Sequence, residues 1–300
     1  MRLADAVLTG VHKAHVQLAE QQWRSGRGDR RLLTWPEAAR DSQLTGRKAC
    51  NVCGWRGHAF TVVHGTVEHS EAALCPVCGS ISRDRFLYWC WTRRTGYDPR
   101  ARVLETSPRM PEVYRKRMAQ RVDYLASDYD ESAHRAFLKL DLQDIDLPDA
   151  SIDVVLTPHV LEHVPDTDQA LAELFRVLAP GGHVFLQVPV PQAKTTVPLE
   201  PEYHGDNTLV YFRFGWDLAD TIRSHGFACD VLVTSELRDA AESGHSWVHE
   251  GPDCDVDDLL AGADPAAMTV VADARRAARH SFRPAYQFVT FDCHKPGAAR

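Results

Sequence analysis

Four cysteines stand in two matching pairs, CNVCG at residues 50–54 and CPVCG at 75–79, spaced C-x2-C-x21-C-x2-C. The two-residue spacing lets both sulfurs of a pair turn toward one point. The glycine after each second cysteine suits the tight turn that brings backbone amides toward sulfur. Four thiolates, from Cys50, Cys53, Cys75 and Cys78, make a closed tetrahedral site with no position left for substrate water. The expectation is therefore a structural zinc ion, in a ribbon of short strands and turns over residues 46–80. Paired cysteines point to metal rather than disulfides in a reducing compartment. His58, His64 and His69 lie between the pairs as alternative ligands, and Cys90, Cys229, Cys254 and Cys293 are isolated. The spacing leaves open whether such a ribbon binds nucleic acid, protein or nothing.

The rest of the composition is that of a globular chain. Its 300 residues are 44% hydrophobic and 25% charged, which suits one large domain or a small domain beside a medium one. No apolar run approaches the length of a membrane span. The opening stretch MRLADAVLTGVHKAH carries Asp5 and Lys13 where a signal peptide needs an unbroken apolar stretch. The expectation is a soluble cytoplasmic protein without a membrane partner. Residues 1–121 hold 21 Lys and Arg against 11 Asp and Glu, and the remainder holds 13 against 30. A basic front half can meet an anionic substrate, or it can dock on the acidic half of its own chain.

Residues 3–23 carry apolar side chains at helical spacing, which predicts an N-terminal helical segment within 1–45. SISRDRFLYWCWTRRT predicts a helix over 80–95. From Arg102 onward short apolar strands alternate with helices. RVLETS, VDYLASD, FLKLDL, IDVVLTPHV, GHVFLQVPV, CDVLVTSE and YQFVTFDCHK read as strands. PEVYRKRMAQ, DTDQALAELFRVLAP and WDLADTIRSHGF read as helices, the second with Asp166 or Thr167 near its N-cap. That alternation predicts an α/β fold: a doubly wound, mainly parallel, seven-stranded sheet covered on both faces. Inserts at 191–215 and 237–283 interrupt residues 81–300, and loops that long are usually functional or carry structure of their own.

Open α/β sheets bind ligands beyond the carboxyl ends of their strands. Those ends read Glu105-Thr106-Ser107-Pro108, Ser127-Asp128-Tyr129, Asp141-Leu142 and Thr157-Pro158-His159. Carboxylates at three successive ends suit a ligand with a ribose diol, an exocyclic amine and a cationic centre. They would repel a phosphate-rich nucleotide.

The stretch LKLDLQDIDLPDASIDVVLTPHVLEHVPDTDQALAELFRVLAPGGHVFLQVPV resembles the central part of class I S-adenosylmethionine (SAM)-dependent methyltransferases. The resemblance spans about 102–236 and the terminal strand 286–295. The CxxC…CPVCGS segment and the later YHGD…FRFGWDL stretch are similar to a subgroup with an N-terminal zinc-binding module. The resemblance implies a Rossmann-like fold that uses SAM. It also implies that Asp128, beside Tyr129, holds the ribose hydroxyls. Asp141 would accept from the adenine amine, with the Leu142 backbone beside the ring. Glu105 would lie under the methionine portion, and Thr157, Pro158 and His159 would line the floor near the sulfonium. The family follows its first strand with a Gly-x-Gly turn. Here Ser107 and Pro108 take its place, which leaves lost binding or altered SAM chemistry open.

Methyl transfer asks a protein to align the reactants and often to remove a proton. His204 and Asp206 in YHGD are candidate bases, with His159 and His163 as alternatives, although histidines in HVLEHV also read as packed or hydrogen-bonded helix residues. Tyr203 and Arg213 are candidate substrate contacts. Arg83 or Arg85 is expected to lie across the cofactor pocket, pairing with the SAM carboxylate or Glu105. An ion pair elsewhere in the chain is the alternative. His245, His249 and Cys254 match no ligand pattern. The implied function is methylation of a small-molecule acceptor, a sugar or specialised metabolite, in biosynthesis. The alternatives are an RNA methyltransferase that grips its substrate with the ribbon, and a SAM-using cyclase, lyase or non-catalytic binder. The net charge of −7 and the lack of a basic-aromatic stripe argue against nucleic acid.

Overall fold

The computed structural model describes residues 48–57, 59–62, 73–96, 98–108, 110–130, 138–190, 192–204, 208–244, 260, 262–282 and 289–297. The helical segment expected within 1–45 lies outside the described residues, as do His58, His64, His69, Asp206, His245, His249 and Cys254.

The cysteine segment forms two small antiparallel pairs, β1 (Lys48–Ala49) with β2 (Arg56–Gly57) and β3 (Thr61–Val62) with β4 (Ala73–Leu74). The two CxxCG turns share one geometry. Gly54 N donates to Cys50 O at 2.8 Å and Gly79 N to Cys75 O at 3.0 Å. Both glycines take positive φ, +80° and +70°, which explains why a glycine follows each pair. Gly79 is doubly required: a Cβ there would lie 2.7 Å from Pro111 Cγ. The second turn is thus seated on the chain that follows the first strand of the main sheet.

Helix α1 (Ser82–Arg94) runs from the cysteine module onto that sheet. Asp84 accepts from Ile81 N at 2.8 Å in its first turn, and Arg93 and Arg94 complement the dipole in its last. Phe86, Leu87, Tyr88, Cys90 and Trp91 are buried in one cluster with the four cysteines and with Phe185 and Leu232 of the sheet. Then come β5 (Arg102–Thr106), α2 (Glu112–Ala119), β6 (Asp123–Asp128), β7 (Leu138–Lys139), β8 (Ile152–Pro158), α3 (Thr167–Val177), β9 (Leu178–Gln187), the hairpin β10 (Glu202–Tyr203) and β11 (Leu209–Val210), α4 (Leu218–Ser224) and β12 (Ala228–Thr234). The chain continues through α5 (Ser235–Ser243), β13 (Met268–Ala272), α6 (Ala274–His280) and β14 (Thr290–His294).

The main sheet has the order β13-β12-β14-β9-β8-β5-β6-β7, with β14 antiparallel to both its neighbours and the other pairings parallel. Its central strands are buried on both faces, so they read as nearly continuous apolar runs. Asp166 caps α3 by accepting from Gln169 N at 2.9 Å. Ala170, Leu171, Leu174 and Val177 form that helix's buried stripe, and full burial of a leucine stabilises by roughly 1.5–3 kcal/mol.

The sheet has eight strands where seven were expected. The eighth, β13, comes from the insert 237–283 and pairs in parallel with the edge of β12. The described end of that insert is structural. From β13 the chain enters α6, which returns to the cysteine module. Lys48 Nζ donates to Ala278 O at 2.7 Å, and His280 Nδ1 lies 2.6 Å from Ala49 O. Among the described residues no helix is long and apolar enough to cross a membrane.

Candidate active site

The carboxyl ends of β5, β6, β8 and β9 lie side by side. Glu105 pairs with Ala126 and Leu156, and Pro158 with Gln187. This register places Thr106 next to Thr157, and Thr157 one residue from the level of Gln187. Thr106 Oγ1, Thr157 Oγ1 and Gln187 Oε1 are buried without a hydrogen-bond partner. Such groups are uncommon in folded proteins, since each loses its bonds to water. Asp128, also buried, ends β6 and accepts from Asp130 N at 3.1 Å. Asp141 follows β7, and its Oδ1 accepts from Gln143 N at 2.9 Å. Leu142 is buried behind it, while Tyr129 is 69% exposed.

The loop without glycines keeps the shape that glycine would permit. Ser107 has φ +48°, and its amide donates to Ser127 O at 2.7 Å. Pro108 is buried. Glu105 lies beneath this loop, 1% exposed, and its Oε2 accepts from Tyr124 Oη at 2.7 Å and Tyr114 Oη at 3.0 Å. Burial pushes its carboxyl up to about 7, against the opposing pull of the two hydroxyls.

HVLEHV forms no α-helix. His159 turns back with φ +53°, its amide donating to Gln187 O at 2.7 Å, and Leu161–His163 make a single 3-10 turn. Sequence reasoning missed Glu162 within it. Glu162 is 2% exposed, and neither of its oxygens has a hydrogen-bond partner. Burial raises its carboxyl to about 8. Its own amide and Arg83 favour the ionised form, the amide without meeting hydrogen-bond geometry. His159 Nδ1 lies 3.5 Å and His163 Nε2 4.0 Å from Glu162 Oε1. A lone glutamate in such a motif reads as a turn carboxylate, so only its burial could have singled it out.

The first insert closes over this end of β8. Bridges join Gln192 to Gly215 and Thr196 to Arg213 at its base, and Tyr211 N donates to Glu162 O at 2.8 Å. His204 sets its ring edge-on to His163, centroids 4.7 Å apart. Tyr203 is 54% exposed on the hairpin. Arg213 is engaged by Glu202, its Nε 2.7 Å from Oε2.

Arg85 is not in this pocket. It is fully buried and stacks 3.8 Å from the Phe60 ring centroid. It donates to Ser80 O at 2.6 Å and to His280 O at 3.0 Å. It thereby ties the second cysteine turn to α6. The four cysteine sulfurs all lie within 4.8 Å of one another, with Cys50–Cys78 at 3.7 Å and Cys53–Cys75 at 3.6 Å. A tetrahedral ion with metal–sulfur bonds of about 2.3 Å sets its ligands roughly 3.8 Å apart. Burial opposes ionisation of Cys50, yet bonds from the other three cysteines and the nearby Arg85 charge hold its thiol well below the usual range.

Residues 87–186 match the profile of the methyltransferase domain family. Among curated relatives, it is 42% identical over 81 residues to a Mycolicibacterium smegmatis protein named "Probable S-adenosylmethionine-dependent methyltransferase", a match covering 24% of this chain and 31% of that protein. It is 35% identical over 118 residues to the malonyl-(acyl-carrier protein) O-methyltransferase of Serratia marcescens, covering 39% of this chain and 38% of that one. The chain thus spans about a third of the length of these relatives. A similar solved structure is the Burkholderia thailandensis 1,6-didemethyltoxoflavin N1-methyltransferase with 1,6-didemethyltoxoflavin and S-adenosylhomocysteine. The two are 17% identical with a TM-score of 0.38, over 50% of this chain and 69% of that one.

Proposed function

We propose that this protein transfers a methyl group from SAM to a small-molecule acceptor, a sugar or specialised metabolite, and that a structural zinc ion is held by Cys50, Cys53, Cys75 and Cys78. The observation that carries the first part is the pair of unpartnered buried hydroxyls, Thr106 Oγ1 and Thr157 Oγ1, side by side at the ends of β5 and β8 and flanked by Asp128 and Asp141. The donor set fits the group. Neutral oxygens and carboxylates suit an amine, a ribose diol and a sulfonium, and would disfavour a polyphosphate.

In this reading Asp128 accepts from the ribose hydroxyls beside Tyr129. Asp141 accepts from the adenine amine, with Leu142 along the ring. Ser107 and Pro108 hold the loop over the methionine portion, with Glu105 braced beneath by its two tyrosines. Thr157, Pro158 and His159 form the floor. When bound, SAM supplies a methyl group already activated by its sulfonium. The chain's own task is to orient the acceptor, exclude water and receive a proton. His204, Asp206 and His159 are the residues for the proton, and Tyr203 and Arg213 for the acceptor. The exposed Val197, Leu199 and Tyr203 support an insert that closes on a partly apolar acceptor.

Isothermal titration with SAM tests the cofactor assignment, which fails if no binding is seen at about millimolar concentration, equivalent to roughly −4 kcal/mol. Product analysis then separates the chemistries. S-adenosylhomocysteine marks methyl transfer, methylthioadenosine marks lyase chemistry, and neither product marks a cyclase or a binding protein. Nucleic-acid affinity that falls steeply with salt would instead favour an RNA substrate.

A further inference from the structure

We infer that Cys229 and Cys293 form a redox modification site, a dithiol that a hydroperoxide converts to a cross-strand disulfide. The two are far apart in sequence, and the sheet brings them together. They are direct partners in the antiparallel register of β12 and β14. Directly opposed residues point to the same face, with Cα atoms about 4.5 or 5.5 Å apart according to the hydrogen-bonding position. Both spacings fall within the range of about 4.4–6.8 Å that a disulfide spans, so the bond can form with the strands kept in register.

Both side chains enter one buried cluster, together with Leu218, Ala219 and Ile222 of α4. Burial and contact with the Cys229 thiol hold the Cys293 thiol well above its usual range. The only hydrogen bond the Cys293 thiol donates to the backbone is a long one, to Phe291 O at 3.7 Å, so little is lost when its hydrogen leaves. The five other described cysteines, Cys50, Cys53, Cys75, Cys78 and Cys90, belong to the cluster on the opposite face of the sheet. They do not compete for either sulfur, and the zinc reading uses separate thiols.

Cys229 is 7% exposed and Cys293 1%, so a small peroxide meets Cys229 first. The Cys229 thiolate attacks one peroxide oxygen. The O–O bond breaks, leaving a sulfenic acid and hydroxide. The Cys293 sulfur then attacks the sulfenic sulfur. The S–S bond forms, the S–O bond breaks, and the oxygen leaves as water with the Cys293 proton. Two thiols thus lose two electrons, and one H2O2 is reduced to two waters. Because the Cys293 thiol resists ionisation, the second step is the slow one. The disulfide closes a covalent loop around residues 230–292, which carry α5, β13 and α6. Closing so long a loop stabilises chiefly by restricting the unfolded chain. Cys229 stands at the amino end of β12, away from the strand ends assigned to SAM, so the inference is independent of the methyl-transfer reading.

The test treats the full chain, zinc-loaded, with a small excess of H2O2, then alkylates it in denaturant and digests it without reduction. The expected result is a linked peptide joining Cys229 to Cys293. The intact mass should fall by about 2 Da and be restored by dithiothreitol, with zinc retained. The thermal midpoint should rise by about 5 °C on oxidation. Cys229→Ser should abolish both the linked peptide and the midpoint shift. In Cys293→Ala, Cys229 should accumulate as a sulfenic acid that dimedone traps. The wild-type digest decides the matter even if a variant fails to fold. The inference is overturned if both cysteines are recovered as alkylated thiols, or if Cys229 is joined to any other cysteine.

Discussion

Replacing Glu105 by glutamine is expected to stabilise the protein at pH 8 and to remove a pH dependence opposite in sense to that of an ion-paired carboxylate. Glu105 is fully buried, faced by Tyr114, Tyr124, Asp84 and Arg115, and its carboxyl titrates near 7 instead of the ordinary 4.5 because burial penalises its charge. The folded state therefore holds a proton that the unfolded chain releases at lower pH. Its contribution is greatest below about 4.5, falls as pH rises to about 7, and is constant above. At about 1.4 kcal/mol per pKa unit, the ionised carboxylate costs up to about 3 kcal/mol at pH 8. Glutamine keeps an oxygen for the tyrosine hydroxyls and carries no charge. Its NH2 group needs a partner, which reduces the expected gain to about 1–3 kcal/mol. Urea unfolding of both proteins at pH 5 and pH 8 measures the difference, and other titrating groups cancel between them. The reasoning is refuted if the stability gap between variant and wild type is the same at both pH values.

Asp128→Ala removes a charged acceptor, and its loss of about 1.5–3 kcal/mol should weaken SAM binding ten- to a hundredfold by calorimetry. Ser107→Gly should stay within about 1 kcal/mol of wild type, because glycine accepts positive φ but loses more chain entropy on folding. Ser107→Val should destabilise by about 2 kcal/mol in the same unfolding assay, since a β-branched residue is strained there. Cys78→Ser, or treatment with a strong chelator, should lower the thermal midpoint of the entire domain and remove bound zinc as counted by elemental analysis.

Much of the sheet was legible because its buried strands are short apolar runs punctuated by caps and glycines. RVLETS, IDVVLTPHV and CDVLVTSE each contain an observed strand, and Asp166 caps its helix as its position suggests. The edge strand MTVVA was not legible. It lies inside a long insert, is half-exposed along its centre, and draws its pairing from a distant strand. HVLEHV misled for a related reason. Its apolar spacing suits a helix, but the positive φ of His159 is set by the Gln187 carbonyl, more than twenty residues away. One of Arg83 and Arg85 was expected near the cofactor from their place on the helix ahead of the first sheet strand, and of the two it is Arg85 that lies elsewhere. A guanidinium can also be buried where carbonyls and an aromatic face receive it, as Ser80, His280 and Phe60 do here.

Helix α1 has the cysteine module on one side and the sheet on the other, and its aromatic side chains belong to both. No cut near residue 80 would therefore yield two self-sufficient pieces. The shorter would lose its floor, and the longer would expose Phe86, Tyr88 and Trp91 to water and to other copies of itself. An ion bound by four sulfurs at one end of the chain would then draw its stabilisation from, and deliver it to, the folding equilibrium of the whole molecule. Metal supply during synthesis would govern how much folded protein accumulates, whatever the catalytic state of the strand ends.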